Sequence, residues 1–305
     1  MAAFWYDVWS RSFGKSWEER SWAASVGVSL SICTYLYASL LPLLPELQPI
    51  HLLMALHYLR VAPSLDDGAN FFRCDRHTYH KYVWLVIDFL GIILQNIHME
   101  DRLHDPDPWL GAAFPILDGK FCPIECNRKR WDFQRLFYSG KHKRWGLKYE
   151  VGVHWLTGQL HWIAGGVYGK VHDLTLARNS GILLAILPNE RLYADKGYIG
   201  DPEFITPVKG RSANLPLADV LWNKLVVNPL RVVVENALGR ICKFEILTKP
   251  FTAGNDVADR IPLHRKVFNV CAQLAQLDIR ENPLRRDILE NPGVTYADPE
   301  SDGEE

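Results

Sequence analysis

The spacing of apolar residues changes near residue 112 of this 305-residue chain, and the change limits the folds that the chain can adopt. Before that point apolar residues recur at helical spacing, as in Tyr79, Tyr82, Val83, Val86, Ile87, Leu90, Ile93 and Leu94. After that point, short apolar runs are separated by turn signals, which is typical of strands. The sequence therefore predicts a helical N-terminal region followed by an α/β domain.

The first 105 residues are predicted to be helical. Asp75 is expected to cap a helix that runs on from Arg76, and an earlier helix is expected over His51–Val61. The uncharged segment Ser21–Pro45 is long enough to span a bilayer, but its serines and final prolines favour a buried helix. No short turn at helix-turn-helix spacing is predicted, so DNA binding by this region is left as an open alternative.

Five strands are predicted after a linker at Asp105–Pro108: Ala112–Leu117, Tyr149–Leu156, Gln159–Tyr168, Arg191–Ala194 and Phe204–Val208. Thr157 and Gly158 suggest a hairpin turn, and helices are expected from Asp173 and near Pro229. This order predicts a mixed five-stranded sheet with flanking helices and three early antiparallel strands. The expected divisions are a helical region at 1–105, an α/β domain at 106–280 and an acidic, disordered tail at 281–305.

Asp118 and Asp195 each follow a predicted strand directly. Functional sites gather at strand ends in open α/β sheets, so the two carboxylates are expected to lie close together. Such a pair repels unless a cation lies between its members, and Mg²⁺ prefers oxygen ligands. Two ions about 3.5–4 Å apart would activate an attacking oxygen and stabilise a leaving one.

Glu235 is a third candidate, on the predicted last helix of the domain. Asn228 is expected to be its N-cap and Pro229 its first residue. The predicted buried stripe is Leu230, Val234, Ala237, Leu238 and Ile241. Arg231, Glu235 and Gly239 lie one step round the helix. Glycine there costs about 1 kcal/mol of helix propensity, which suggests close approach of a substrate backbone or of a metal-bearing strand.

A simpler interpretation competes with this one. Asp118 and Asp195 could be turn residues, since Asp-Gly is common in turns, and Glu235 could simply pair with Arg231 at i,i+4 spacing. On spacing alone, the interpretation of three unrelated acids is the better one.

Five short sequence motifs, which occur in a fixed order, favour a joint site over three unrelated acids. They are Ile116-Leu117-Asp118-Gly119, Tyr138-Ser139-Gly140-Lys141-His142-Lys143-Arg144, Tyr168-Gly169-Lys170-Val171-His172-Asp173, Ala194-Asp195-Lys196-Gly197-Tyr198 and Arg231-Val232-Val233-Val234-Glu235-Asn236-Ala237-Leu238-Gly239. Together they resemble the PIF/Harbinger-type DDE transposases, including Harbinger-derived nucleases. The resemblance runs from about Phe114 to Phe244.

The resemblance implies an RNase H-like fold, with Asp118, Asp195 and Glu235 as catalytic ligands of Mg²⁺ or Mn²⁺. It implies DNA cleavage with strand transfer and a nuclear location, and it leaves room for a Myb-like partner protein and a homo-oligomer. His172, Asp173 and Arg231 would orient the metal ligands, although Asp173 could equally cap the following helix.

Three residues depart from the family pattern. Lys120 stands where threonine or serine is usual after Asp-Gly, and Asn228 stands where a tyrosine is expected. Lys243 falls one residue beyond the expected basic position, although Arg240 is near.

A basic segment follows the first candidate aspartate in a chain whose net charge is only −1. Its basic residues are Lys120, Arg128, Lys129, Arg130, Arg135, Lys141, Lys143, Arg144 and Lys148, against Glu125 and Asp132. Trp131, Phe133, Phe137, Tyr138 and Trp145 interleave with them. Basic groups neutralise phosphates and aromatic rings stack on bases, so we expect DNA backbone contact here, above all at Arg128, Lys129, Arg130, Lys141, Lys143, Arg144 and Lys148. A solvated hairpin is the alternative.

Three functions are compatible with these patterns: a metal-dependent DNA endonuclease, a domesticated and catalytically silent DNA-binding protein on the same fold, and a metal phosphohydrolase of small substrates. The candidate carboxylates favour the first over the second. The basic segment favours either of these over the third.

Overall fold

A computed structural model describes residues 2–13, 18–104, 115–126, 134–155, 157–188, 190–210 and 214–284. Its N-terminal part is helical, as predicted: α1 (Ala2–Phe13), α2 (Glu19–Val26), α3 (Leu30–Leu40), α4 (Pro49–Val61), α5 (Leu65–Phe72) and α6 (Arg76–Ile93). The Asp75 side chain accepts the backbone N–H of Thr78 at 2.9 Å, which confirms the predicted cap. A 3₁₀ helix follows at Met99–His104.

The apolar segment Ser21–Pro45 forms two helices, so the prediction of one helix was wrong. Gly27 adopts a left-handed conformation with φ 76° after α2, and the Ser29 side chain caps α3 by accepting the N–H of Ile32 at 3.2 Å. Within the described ranges no single helix is long and apolar enough to cross a membrane, and only the pair α2–α3, bent by 49°, passes that test by length and composition.

Like the connection at 27–29 between α2 and α3, two later helical connections are only three residues long, at 62–64 between α4 and α5 and at 73–75 between α5 and α6. The expectation of no short turn was therefore wrong. Ala62 and Arg73 supply the left-handed backbone in these turns, with φ 49° and 54°. Because glycine and asparagine are the usual signals for that conformation, these two turns could not be predicted from the sequence.

Six strands form one mixed sheet: β1 (Pro115–Pro123), β2 (Tyr138–Ser139), β3 (Arg144–His154), β4 (Leu160–Tyr168), β5 (Leu192–Ala194) and β6 (Phe204–Ile205). β3 pairs antiparallel with β1, β2 and β4, whereas β1–β5 and β5–β6 are parallel. The order of the main strands is thus β4-β3-β1-β5-β6, which is consistent with an RNase H-like core. The predicted hairpin between β3 and β4 is confirmed.

β1 does not end at Asp118. Asp118 pairs with Val151 and Gly119 with Glu150, and the antiparallel register continues to Pro123. The ladder with β3 supplies partners for the backbone polar groups, which removes any need for a turn. At the other edge, β6 ends at Ile205 rather than at Val208, because Pro207 cannot donate a ladder hydrogen bond.

Helices α7 (Asp173–Ser180) and α8 (Ile182–Ala185) lie between β4 and β5, and α9 (Leu217–Trp222), α10 (Asn228–Cys242) and α11 (Val257–Glu281) follow β6. A π-helical turn at Asn223–Val227 joins α9 to α10, so Asn228 is already helical and the predicted N-cap was wrong. The wider turn accommodates Pro229, whose ring clashes with the preceding turn of a regular helix. The buried face of α10 is Val233, Val234, Ala237, Leu238 and Ile241, with Leu230 half-buried.

One hydrophobic cluster joins the N-terminal helices to the sheet through α11. Leu90 of α6, Tyr149 of β3 and Phe268 of α11 are all buried in it, and the Tyr149 and Phe268 rings stack at 3.7 Å. All six cysteines are free.

A buried ion pair joins the segment that follows α6 to the loop before β5. Arg102 donates from Nε and Nη2 to the two carboxylate oxygens of Glu190 at 2.7 and 2.6 Å, and these side chains are only 2% and 4% exposed. Nη2 also donates to the backbone carbonyl of Ala185 at 3.0 Å. The guanidinium therefore fixes two distant segments against each other.

We expect Arg102→Met to lower the free energy of unfolding by about 3–5 kcal/mol, because it leaves the Glu190 carboxylate buried without its cation. Urea denaturation measures this change. The matched control is Arg76→Met, which removes an exposed ion pair of 3.7 Å to Asp66 and should cost less than about 1 kcal/mol. Equal losses in the two variants would contradict the structural role of the buried pair.

Candidate active site

Asp118 and Asp195 lie side by side on adjacent parallel strands. The last pair between β1 and β5 joins Leu117 to Ala194. Asp118 directly follows Leu117 in sequence, and Asp195 directly follows Ala194. Neighbouring strands are about 4.8 Å apart, so the two side chains leave the sheet next to each other. The Asp118 side chain accepts the N–H of Gly119 at 2.7 Å, and that of Asp195 accepts the N–H of Gly197 at 2.6 Å.

Asp173 is the third carboxylate at this place. It is the first residue of α7, and the cap position belongs to His172, so the interpretation of Asp173 as the cap was wrong. A Cβ on Gly119 would lie 2.7 Å from Asp173 Oδ1, and one on Gly197 would lie 2.8 Å from Asp173 Oδ2. The two glycines therefore form a cradle that leaves room for the Asp173 carboxylate.

The electrostatics of Asp118 reflect this crowding. The pKa of the Asp118 carboxyl is raised to about 6, mainly by burial and also by the charges of the neighbouring Asp195 and Asp173. The N–H of Gly119 and the guanidinium of Arg231 act in the opposite direction. Ionisation of Asp118 is therefore less favourable than that of an exposed aspartate, and positive charge nearby favours it.

Lys148 provides positive charge beside the neighbouring Asp173. Its ammonium lies 3.0 Å from Asp173 Oδ1 and donates to the carbonyl of Val171 at 2.7 Å. The sequence predicted a contact of Lys148 with DNA, whereas in the structure this side chain is only 15% exposed and faces the aspartates.

Glu235 lies on the exposed face of α10, where the predicted pair with Arg231 is present at 3.2 Å between Nη2 and Oε1. Glu235 is 54% exposed, and Arg231 is near enough to Asp118 to affect its pKa. The described contacts therefore connect Glu235 to the aspartates through Arg231. Among the described residues no atom lies within 4 Å of where a Cβ on Gly239 would be, so none of the described strands packs against it.

The donor atoms suit a hard divalent cation, since Asp118, Asp173, Asp195 and Glu235 offer only carboxylate oxygens. A Cβ on Gly197 would lie 2.8 Å from both Asp173 Oδ2 and Asp195 Oδ1, so these two carboxylates approach each other closely. In the part of the chain that the structure describes, no group of three or more His, Cys, Asp or Glu side chains is arranged to hold a metal ion. The ion pairs of Asp173 and Glu235 would have to open to complete such a group.

The three residues that depart from the family pattern have different surroundings, and only Lys120 has a described interaction with one of the aspartates. Lys120 shares a face of β1 with Asp118 and is hydrogen-bonded to Cys242. Burial lowers the pKa of Lys120, but Cys242, Cys122 and Asp118 outweigh that effect and the net shift is upward. Asn228 is exposed on α10.

Lys243 is directed away from the aspartates. Its ammonium binds Asp278 on α11 at 2.8 Å, and the guanidinium of Arg240 binds the same carboxylate oxygen, also at 2.8 Å. Neither of the two basic groups that the sequence placed near the end of α10 is therefore free to face the site.

The basic loop between β2 and β3 lies beside this site. Lys141, Lys143 and Arg144 are exposed there, and the His142 ring stacks on Phe121 at 4.4 Å. Burial lowers the pKa of His142, as do the charges of Lys141, Lys148 and Lys120, while Asp173 opposes them. Arg128, Lys129 and Arg130 lie outside the described residues.

Sequence reasoning missed two groups behind the aspartates. Glu150 pairs in register with Gly119 and is fully buried, and the Tyr198 hydroxyl is also buried. A charged residue between the apolar Tyr149 and Val151 of a central strand was the signal that could have revealed Glu150.

We expect the stabilising effect of Asp118→Asn to depend on pH. Below about pH 4 the carboxyl is protonated in both the folded and the unfolded chain. Between pH 4 and 6 only the unfolded chain releases the proton, so wild-type stability falls as pH rises, and above pH 6 the penalty is complete. The variant should then be about 1–3 kcal/mol more stable, and the gain should vanish near pH 3.5.

Urea denaturation at pH 3.5, 5 and 7.5, without divalent cations, measures this difference. Asp66→Asn is the control, because that carboxylate is 67% exposed and its substitution should change stability by less than about 0.5 kcal/mol. A gain for Asp118→Asn that is the same at all three pH values would contradict the role of burial.

Comparison with known proteins identifies the region that carries this site. A family model described as DDE superfamily endonuclease matches residues 117–276. Searches of curated proteins and of solved structures gave no match. The matched region is just over half of the chain and contains Asp118, Asp195 and Glu235. The chain therefore belongs to the family of DDE superfamily endonucleases, whose name implies a nuclease with DNA as its substrate.

Proposed function

We propose that this protein is a metal-dependent DNA endonuclease of the PIF/Harbinger type, with Asp118, Asp195 and Glu235 as metal ligands. The observation that carries the proposal is the parallel register of β1 and β5, which puts Asp118 and Asp195 side by side within the matched region. The five ordered motifs of the sequence support the Harbinger subtype.

We infer that residues 106–280 form an RNase H-like domain. The strand order β4-β3-β1-β5-β6 supports this, with β3 antiparallel to β1 and β4 and with β5 and β6 parallel to β1. In this arrangement β1 is the central strand, so a carboxylate on β1 has neighbours on both sides.

Asp118 and Asp195 would hold Mg²⁺ or Mn²⁺ from the sheet, and Glu235 would complete the ligands from α10. The bound ions would activate the attacking oxygen and stabilise the leaving oxygen of the phosphodiester. A divalent cation would also favour the ionised form of Asp118, whose burial otherwise opposes ionisation. Asp173 would orient the site from α7.

Arg231 would act as the link to the substrate. Its guanidinium binds Glu235 in the structure, and a DNA phosphate is a competing bidentate partner for it. When Arg231 turns to the phosphate, the Glu235 carboxylate is released toward the aspartates. Binding of DNA would in this way complete the set of carboxylates.

The second candidate function is a catalytically silent DNA-binding protein on the same fold. The ion pairs Lys148–Asp173 and Arg231–Glu235 favour it, because the first neutralises the carboxylate that would orient the site and the second neutralises a proposed metal ligand. A phosphohydrolase of small substrates has less support, since the exposed basic loop beside the site suits a long polyanion better.

We expect Asp195→Asn and Glu235→Gln to lower Mn²⁺-dependent nicking of plasmid DNA by more than about 100-fold, because each removes a charged metal ligand. The matched control is Glu245→Gln, since Glu245 also forms an exposed i,i+4 ion pair, with Lys249 at 2.7 Å. If the wild-type protein binds the plasmid without nicking it, the silent DNA-binding function is correct instead.

The triple variant Lys141→Ala, Lys143→Ala, Arg144→Ala should bind DNA more weakly and with a smaller dependence on salt. Each lost phosphate contact lowers the slope of log K against log salt by about 0.9. Fluorescence anisotropy between about 50 and 200 mM salt measures the slope. The control removes three exposed cations elsewhere, Lys249, Lys266 and Arg280, and an equal change of slope there would contradict a specific role for the loop.

The N-terminal region is proposed as a second DNA-contacting surface. Helices α5 and α6 are joined by only three residues, as in a helix-turn-helix. The exposed basic residues around the start of α6 are Arg73, Arg76, His77, His80 and Lys81. With the Harbinger assignment come the further proposals of a nuclear location, a homo-oligomer and a Myb-like partner that supplies sequence recognition.

A further inference from the structure

Glu150 is a buried carboxyl group behind the proposed metal ligands. It has no exposed surface, and its Oε1 atom accepts hydrogen bonds from the indole N–H of Trp162 and from the hydroxyl of Ser180, both at 3.0 Å. These two donors lie on β4 and at the end of α7. A single side chain of β3 therefore fastens a helix to the sheet.

Burying the Glu150 carboxyl costs free energy, which indicates that this side chain has a role beyond packing. Burial raises the pKa of Glu150 to about 7, while the bonds from Ser180 and Trp162 lower it and Asp173 raises it. Its Oε2 atom has no hydrogen-bond partner among the described residues. In a central strand an apolar residue such as valine would fill this position at no such cost.

The Tyr198 hydroxyl shares this environment. It is fully buried without a hydrogen-bond partner in the described part of the chain. Burial raises the pKa of Tyr198, and so do the charges of four carboxyls, Glu150, Asp173, Asp118 and Asp195, in decreasing order. The tyrosine thus lies within electrostatic reach of both Glu150 and the three aspartates.

Helix α7 transmits the position of Glu150 to the site. Ser180, which binds Glu150, is its last residue, and Asp173, which occupies the glycine cradle, is its first. An eight-residue helix is about 12 Å long and rigid, so fixing one end limits the movement of the other. Lys148 is the other described contact that holds Asp173 in place.

We propose that Glu150 is a positioning residue which, through Ser180 and α7, sets the Asp173 carboxylate beside Asp118 and Asp195. The inference rests on the proposed function, because it is the metal affinity of that site which Glu150 would control. Displacing Asp173 moves its negative charge away from the place where a cation would bind beside Asp118 and Asp195, so divalent cations bind more weakly.

The test compares Glu150→Val and Glu150→Gln in the full chain. Isothermal titration calorimetry with Mn²⁺ alone measures affinity, and plasmid nicking gives the Mn²⁺ concentration for half-maximal rate. Glu150→Val should weaken Mn²⁺ binding about 10- to 100-fold, as the loss of groups that orient metal ligands does. Glu150→Gln keeps an oxygen acceptor for Ser180 and Trp162 and should stay within about 3-fold of wild type, well below that loss.

Gln273→Leu is the matched control. Gln273 is also a buried polar side chain, and its described hydrogen bond, from the backbone N–H of Asn96 at 2.8 Å, involves none of the three aspartates. It should lose stability without losing Mn²⁺ affinity. If Glu150→Val does not fold, Ser180→Ala removes the same link with less disturbance and should weaken Mn²⁺ binding by more than 3-fold, toward the lower end of the range for such orienting groups.

Wild-type affinity for Mn²⁺ in Glu150→Val, or in Ser180→Ala as its substitute, would overturn the inference. A wild-type protein that binds Mn²⁺ but does not nick DNA would overturn the proposed function, and the calorimetric comparison would still decide the role of Glu150. A wild-type protein that neither binds Mn²⁺ nor nicks DNA in its presence would overturn both.

Discussion

The parallel pairing of β1 with β5 places the carboxylates of Asp118 and Asp195 next to each other. Several neighbouring groups offset the repulsion between these two carboxylates. Asp118 and Asp195 emerge from adjacent strands at the same level. Asp173 approaches both from α7 through a cradle of two glycines. Three negative charges within one small, half-buried volume are unfavourable unless protons, cations or hydrogen-bond donors offset them.

The protein uses all three kinds of compensation. Burial keeps Asp118 protonated over a wider pH range, Lys148 neutralises Asp173, and the backbone N–H groups of Gly119 and Gly197 bind Asp118 and Asp195. Arg231 adds a cation that interacts with both Asp118 and Glu235. The basic residues near the site can therefore either neutralise a carboxylate or bind a DNA phosphate. A side chain that does the first is not available for the second.

The positions of Asp118 and Asp195 could be predicted from sequence because they depend on a local signal, an apolar run followed by an acid. The bounds of β1 could not, because its extension to Pro123 depends on pairing with β3, which is distant in the chain. The turn at Arg73 and the π turn before Pro229 were missed for a similar reason, since neighbouring segments impose both conformations. Glu150 was missed because its partners, Trp162 and Ser180, meet only in the folded state.

Helix α11 has a consequence for how proteins of this architecture can diverge. Its apolar side chains are buried along most of its length, and one cluster joins it to α6 on one side and to β3 and β4 on another. A segment near the end of the chain thus completes the core of both the first hundred residues and the sheet. Recombination that exchanged the N-terminal helices between relatives would have to preserve the packing of α6 against α11. Substitutions in the N-terminal helices and in α11 are therefore expected to be correlated.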